Sequence, residues 1–166
     1  MPQTLMLATD LGHRSDRALD RAAALARAWQ ARLLIVHALK AASLRDDAPS
    51  WRRVTDPLAL ARRRIHRDLG ATADLALEVI VERGDPGAVV AELAARHQAD
   101  LVISGVARDE TLGRLLLGST VETLVKQLQA PLLVVKRRPH GDYRHLVVAT
   151  DLTPDSKTAG DAALAW

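Results

Sequence analysis

The 166-residue chain has no cysteine, which rules out a disulfide framework, a thiolate metal site and a cysteine nucleophile. Phenylalanine is also missing, and three tryptophans and one tyrosine bring the aromatic share to only 2%. Proteins that hold single-stranded nucleic acid stack its bases on aromatic side chains. That scarcity, with no basic helix-turn-helix pattern, argues against nucleic acid as a partner despite the net charge of +3. The arginines Arg62, Arg63, Arg64 and Arg67 read instead as a solvated helix face. No apolar run approaches the ~20 residues that cross a bilayer, so no membrane partner is expected. Met1 to Asp10 lacks the charged head and cleavage site of a signal peptide, which makes a cytoplasmic location the expectation. Asp46-Asp47 has no third ligand nearby, and the histidines show no metal spacing, so no metal site is expected.

What is present is ordinary globular composition, 48% hydrophobic and 26% charged, enough for one domain with a core. Leu5 to Thr9 is a short apolar run ending at Asp10 and reads as a buried strand. Ser15 to Gln30 has helical periodicity through Ala18, Leu19, Ala22, Leu25 and Ala26. Arg32 to Leu39 is a second continuous strand, and Lys40 to Asp56 a loop. Pro57 opens a helix to about Leu69. Ala73 to Val81 is a third strand, rich in β-branched residues. Asp85-Pro86 is a helix start, with Asp85 as cap and Pro86 in the first helical position, and that helix runs to about His97. Asp100 to Gly105 is a fourth strand. Ser119 and Glu122 have capping-box spacing and predict a helix from Ser119 to Gln129. Leu132 to Lys136 is the fifth strand.

Strands alternating with helices imply parallel crossovers, with the sheet covered on both faces. Such a sheet binds ligands outside the carboxyl ends of its strands. Those ends carry Asp10, His37-Ala38 and Gly105. His37 reads as a satisfied, buried histidine, with little claim to catalysis.

The opening of the chain recurs near its end. Leu146 to Trp166 aligns without gaps to Leu5 to Leu25, matching at ten of twenty-one positions and repeating Ala-Thr-Asp-Leu with a serine four residues later. One long-range copy indicates a duplicated domain, not a solenoid. The expected organisation is a domain over 1–138, a linker over 139–145 marked by Pro139 and Gly141, and over 146–166 the truncated start of a second domain, its first strand and part of its first helix.

The loop from Gly105 to Thr120 carries the chemistry. Glycines let backbone amides approach an anion, and the free amides and dipole of the helix opening at Ser119 favour a phosphate. Asp10 is placed to accept hydrogen bonds from a ribose. Each residue also has a purely structural reading: Ser119 as a helix cap, Gly105 and Gly118 as turn glycines, Asp10 as a tie for the loop before Ser15.

Asp10 followed by Ser15, the strand Asp-Leu-Val-Ile-Ser-Gly, and Gly118-Ser119 opening a helix before Ala-Pro-Leu-Leu-Val-Val together resemble the universal stress protein family. The resemblance covers about residues 3 to 137 and resumes at 144. It implies a Rossmann-like five-stranded parallel sheet of the adenine-nucleotide alpha-hydrolase type, with helices on both faces and strand order 3-2-1-4-5. Nucleotide-binding members carry G-x2-G-x9-G-[S/T] in this loop, and here the pattern is Gly105-x2-Arg108-x9-Gly118-Ser119. The length is kept, but arginine stands for the second glycine. Arg108 either crowds the phosphates or places a guanidinium on them.

The resemblance implies a stress-response module with ATP or another adenine nucleotide as ligand, magnesium accompanying it. Asp10, Ala38, Gly105, Arg108, Gly118, Ser119 and Thr120 form the candidate site. It also implies a homodimer through the edge of the fifth strand. Two rivals stand beside it: a nucleotide-independent interaction module, and a weak ATP hydrolase or self-phosphorylating protein using Ser119 or Thr120. No base is poised on a nucleophile, no G-x-S-x-G elbow occurs, and S-G-G-x-D-S of the ATP pyrophosphatases is missing, so efficient catalysis is not expected.

Overall fold

Successive side chains of a strand point to opposite faces, so a strand buried on both sides must be apolar throughout. The computed structural model shows this in the central strands. It describes residues 2–12, 15–40, 56–68, 74–106, 118–151, 153, 156–157, 160–161 and 163. The elements are β1 (Thr4–Ala8), α1 (Ser15–Trp29), β2 (Arg32–Leu39), α2 (Pro57–Asp68), β3 (Leu77–Arg83), α3 (Pro86–Arg96), β4 (Leu101–Gly105), α4 (Ser119–Gln127) and β5 (Leu132–Val135). All neighbouring strands are parallel, in the order β3-β2-β1-β4-β5. The expected sheet and strand order are those observed.

Leu5, Leu7, Leu33, Ile35, Leu101 and Ile103 face α1 and α2, packing on Ala18, Ala22, Leu25, Ala61 and Ile65. Met6, Leu34, Val36 and Val102 point the other way, onto Val89, Val90 and Leu93 of α3 and Leu124 of α4. Burying one such Leu, Ile, Val or Met side chain contributes about 1.5–3 kcal/mol, so these two layers are the main source of stability. Asp100 pins the starts of β1 and β4 together. Its carboxylate accepts from the backbone N–H groups of Gln3 (2.7 Å) and Thr4 (2.9 Å), and its own N–H donates to the Thr4 carbonyl.

Several boundaries differ from expectation. β3 begins at Leu77, because Asp74 sits in a turn held by Arg27 from the end of α1 through hydrogen bonds of 2.8 and 2.9 Å. At its other end β3 runs on through Glu82 and Arg83, paired with Ala38 and Leu39. An edge strand tolerates such charges. α4 ends at Gln127 because Leu128 turns to extended backbone, φ −72° and ψ 138°. The Ser119–Glu122 capping box does not form. Gly118 occupies the N-cap and has no side chain to cap the helix, and Ser119 lies inside the first turn.

The segment expected as a linker is strapped across α1. Arg17 donates to the Lys136 carbonyl (2.8 Å), Arg21 to the Gly141 carbonyl (3.0 Å), and Arg138 lies 3.4 Å from Asp20. The Arg21 guanidinium stacks over Tyr143, 4.1 Å from the ring centre. Beyond it, residues 146–150 form no strand, although they copy β1. Leu146, Val147 and Val148 are 52%, 96% and 45% exposed, where Leu5, Met6 and Leu7 are essentially buried. A strand needs a neighbour to pair with, and among the described residues it has none.

Candidate functional site

The carboxyl ends of β1, β2 and β4 and the N-termini of α3 and α4 enclose an open cavity of about 460 Å³. That volume lies in the range of small-molecule sites. Asp10, Ala38, Gly105, Gly118, Ser119 and Thr120, expected together from the sequence, all line it. Arg108 lies outside the described residues, as does Arg114.

At the β1 wall the chain leaves the sheet at Ala8 and turns sharply. The Asp10 carboxylate accepts hydrogen bonds from the Gly12 N–H (2.8 Å) and the buried Ser15 hydroxyl (2.5 Å). Asp10 therefore does what its structural reading required, tying the loop to the first residue of α1, while its side chain also borders the cavity. Glycine at position 12 leaves the carboxylate room, since a Cβ there would come within 2.9 Å of the Asp10 oxygen. At the end of β2, His37 bonds the Thr9 carbonyl through Nδ1 at 2.8 Å. A carbonyl only accepts, so the proton sits on Nδ1 and the ring clamps two strand ends together. Ala38, on the opposite face of β2, presents a small side chain to the cavity.

The two helix N-termini are dressed differently. At α3 the Asp85 carboxylate accepts from the amides of Gly87 (3.1 Å) and Ala88 (3.3 Å), and Pro86 has no amide to satisfy. At α4 the first intrahelical bond runs from the Glu122 N–H to the Gly118 carbonyl (3.0 Å), and glycine supplies no cap. The amides of Ser119, Thr120 and Val121 precede that bond, so they have no intrahelical acceptor. Positive partial charge at the head of α4 thus faces the cavity where Asp10 sits on another wall. α3 has already placed a carboxylate at its own head.

Sequence reasoning did not single out Ser104, Pro86, Val90 or Lys40, which also line the cavity. Ser104 adjoins Gly105 at the end of β4 and is buried, its hydroxyl donating to the Gly105 carbonyl at 3.2 Å. Pro86 follows the carboxyl end of β3, a strand end not among the three expected to carry the site.

Two carboxyls away from the cavity titrate low. Hydrogen bonding from Arg27 holds Asp74 below the ordinary range. Asp151 falls to about 2, chiefly through the Thr153 hydroxyl (2.6 Å) and then the Thr153 N–H (3.0 Å), with the Ser156 hydroxyl adding to them. Asp151, Thr153 and Ser156 occupy the positions that Asp10, Gly12 and Ser15 hold in the first copy. In both copies the aspartate carboxylate accepts from the N–H two residues on, but the serines differ: the Ser15 hydroxyl donates to Asp10, whereas the Ser156 hydroxyl donates to the Thr153 carbonyl at 3.0 Å. That aspartate-to-backbone contact recurs in the tail, where the described residues form no strand, so it does not depend on the sheet.

A Thermus aquaticus protein, described as a universal stress protein in the QAH/OAS sulfhydrylase 3′ region, is 29% identical over 145 residues, 82% of this chain and 100% of that protein. A solved universal stress protein in complex with cAMP is 29% identical, covers 82% of this chain and 98% of its own, and superposes with a TM-score of 0.60. The universal stress protein of Archaeoglobus fulgidus in complex with dAMP shares the fold at 17% identity, 82% and 98% coverage and a TM-score of 0.54. The model of the universal stress protein family matches residues 1–136, and the chain belongs to that family.

Proposed function

We propose that this domain is a regulatory stress-response module that binds an adenine nucleotide, ATP or a close relative, at the carboxyl end of its sheet. The observation that carries the reading is one cavity shared by the Asp10 carboxylate and the start of α4, where glycine holds the N-cap. A nucleotide needs both, an acceptor for ribose hydroxyls and a set of free amides for phosphate. Ala38 leaves room for a flat base, Gly105 and Gly118 let the phosphates come close to backbone, and Ser119 and Thr120 offer their amides. The cAMP complex of the 29% identical structure supports the ligand class. Magnesium enters with the nucleotide's phosphates, because among the described residues no group of three acidic or histidine side chains could hold a metal.

Binding is favoured over turnover. Among the described residues no carboxylate or imidazole is hydrogen-bonded to the Ser119 or Thr120 hydroxyl, so none of them is positioned there as a general base. A thermal-shift series with ATP, ADP, AMP and cAMP, with and without magnesium, tests the reading. ATP at millimolar concentration or below raises the melting temperature by mass action, and Gly118→Val removes the shift while the protein stays folded. No shift with any nucleotide would replace this reading with the interaction module.

The reading extends to assembly: a cytoplasmic homodimer through the open edge of β5, which among the described residues pairs only with β4. Residues 146–166 are then the opening of a second domain of the same kind, and its bare apolar segment joins the contact. Light scattering should give a dimer for the 166-residue chain, and deletion of residues 143–166 should leave the first domain folded. A monomeric full chain would refute the assembly.

A further inference from the structure

The arginine row on α2 has no part in the site described so far, yet one member reaches it. The Arg64 guanidinium donates to the Leu11 carbonyl at 2.7 Å. Leu11 follows Asp10 directly and has a φ of +58°, a left-handed conformation that residues with a Cβ seldom adopt. Three contacts hold it there. Its N–H donates to the Thr9 hydroxyl at 3.1 Å, its side chain packs beside Ile65 of α2 against the core, and its carbonyl meets Arg64.

The Leu11 carbonyl and the Gly12 N–H belong to one peptide unit. That unit is planar and trans, so its carbonyl and N–H point in opposite directions and rotate together. Arg64 grips the oxygen end, and the Asp10 carboxylate grips the hydrogen end at 2.8 Å. A cation on the carbonyl also polarises the unit and makes its N–H a stronger donor. Turning the unit away from Arg64 would turn the Gly12 N–H away from Asp10.

We infer that Arg64 is a positioning residue for Asp10, acting through the Leu11–Gly12 peptide unit to hold the carboxylate at the cavity. This rests on Asp10 as a ligand-facing group, the reading proposed above, but the mechanical link itself can be measured without ligand. The role also accounts for a leucine at position 11. α2 holds the carbonyl and the side chain of the same residue, and a glycine would offer no side chain to hold.

The test compares the full chain with Arg64→Ala, Arg64→Lys and Arg63→Ala, the last removing the same charge from the neighbouring position. Amide hydrogen exchange at Gly12 is read without ligand, then ATP affinity by calorimetry, with the melting temperature followed throughout. Arg64→Ala should speed Gly12 exchange by about fivefold or more, as expected for a locally released turn. It should weaken ATP about tenfold, the scale of a disturbed charge-assisted contact, with little change in melting temperature. Arg64→Lys should recover part of both effects, and Arg63→Ala should leave both unchanged. Unaltered Gly12 exchange in Arg64→Ala, or an equal effect from Arg63→Ala, would overturn the inference. If Gly12 exchange responds as expected while the parent chain binds no nucleotide, the nucleotide reading fails and the link between Arg64 and Asp10 stands.

Discussion

Gly12→Ala separates the two duties of Asp10. A Cβ at Gly12 would lie 2.9 Å from Oδ1, 3.3 Å from Oδ2 and 3.4 Å from Cγ of Asp10. All three atoms belong to the end of one side chain, so the cheapest response is for the carboxylate to swing aside. That move weakens the bonds from the Gly12 N–H and the Ser15 hydroxyl. On an exposed turn each contributes about 0.5–1.5 kcal/mol, at the lower end of that range. Against this loss, alanine restricts the unfolded chain and returns about 0.4–1 kcal/mol. The two nearly cancel, so the folding free energy should change by no more than about 1 kcal/mol. Ligand affinity has no such compensation. A hydrogen bond from a ribose hydroxyl to a carboxylate contributes about 1.5–3 kcal/mol, so ATP should bind about ten- to a hundredfold more weakly. Urea denaturation and calorimetric titration on the same preparation measure both quantities. An ATP affinity within about twofold of the parent would show that the Asp10 carboxylate does not hold the ligand.

Arg108→Gly restores the second glycine of the family pattern and should tighten ATP binding; weaker binding would mean that the guanidinium contributes to phosphate recognition. Gly87→Ala should destabilise the protein by about 1–3 kcal/mol, because its Cβ would meet Thr123 Cβ and Cγ2 on α4 at 2.5 Å. The first of those atoms cannot rotate away, and a gain of about 1 kcal/mol, as for an open helical glycine, would refute the close approach of α3 and α4. The Asp151 carboxyl should titrate near pH 2 by carbon NMR, whereas a midpoint near the ordinary ~4 would show that the tail turn does not form in solution. Because its folded value is depressed, the contribution of that turn is complete above the ordinary carboxylate value and fades as pH falls toward 2.

The parts of the fold that sequence reading reached are those where local chemistry and tertiary demand agree. Arg32 to Leu39 reads as a strand and is one, because a strand covered on both faces must be apolar throughout. Asp85 and Pro86 start a helix by their own chemistry. The cavity was legible because parallel topology brings the carboxyl ends of β1, β2 and β4 together whatever the loops do. Ser119 misled, because capping-box spacing is satisfied equally by a helix that begins one residue earlier at a glycine. Leu11 gave no signal at all: left-handed backbone usually announces itself as glycine or asparagine, and here contacts from α2 impose it on a leucine. The strap across α1 was equally hidden, since Pro139 and Gly141 look like any linker until Arg17 reaches the Lys136 carbonyl and Arg21 that of Gly141.

The place of β1 between β2 and β4 bears on the order in which the chain folds. β1 can pair with β2 as soon as residue 39 has been made, but its other side waits for β4, whose Leu101 sits opposite Leu5. Contacts so distant in sequence form slowly. The copy of β1 at residues 146–150 carries the same leucine, alanine and threonine pattern and suits the same slot. During synthesis from the N-terminus it emerges only after β4, by which time the slot is filled. Refolding from denaturant removes that precedence, since both copies then compete for β2 and β4 from the first moment. The full chain is therefore expected to recover more slowly, and through a mispaired population, than a chain ending before residue 143.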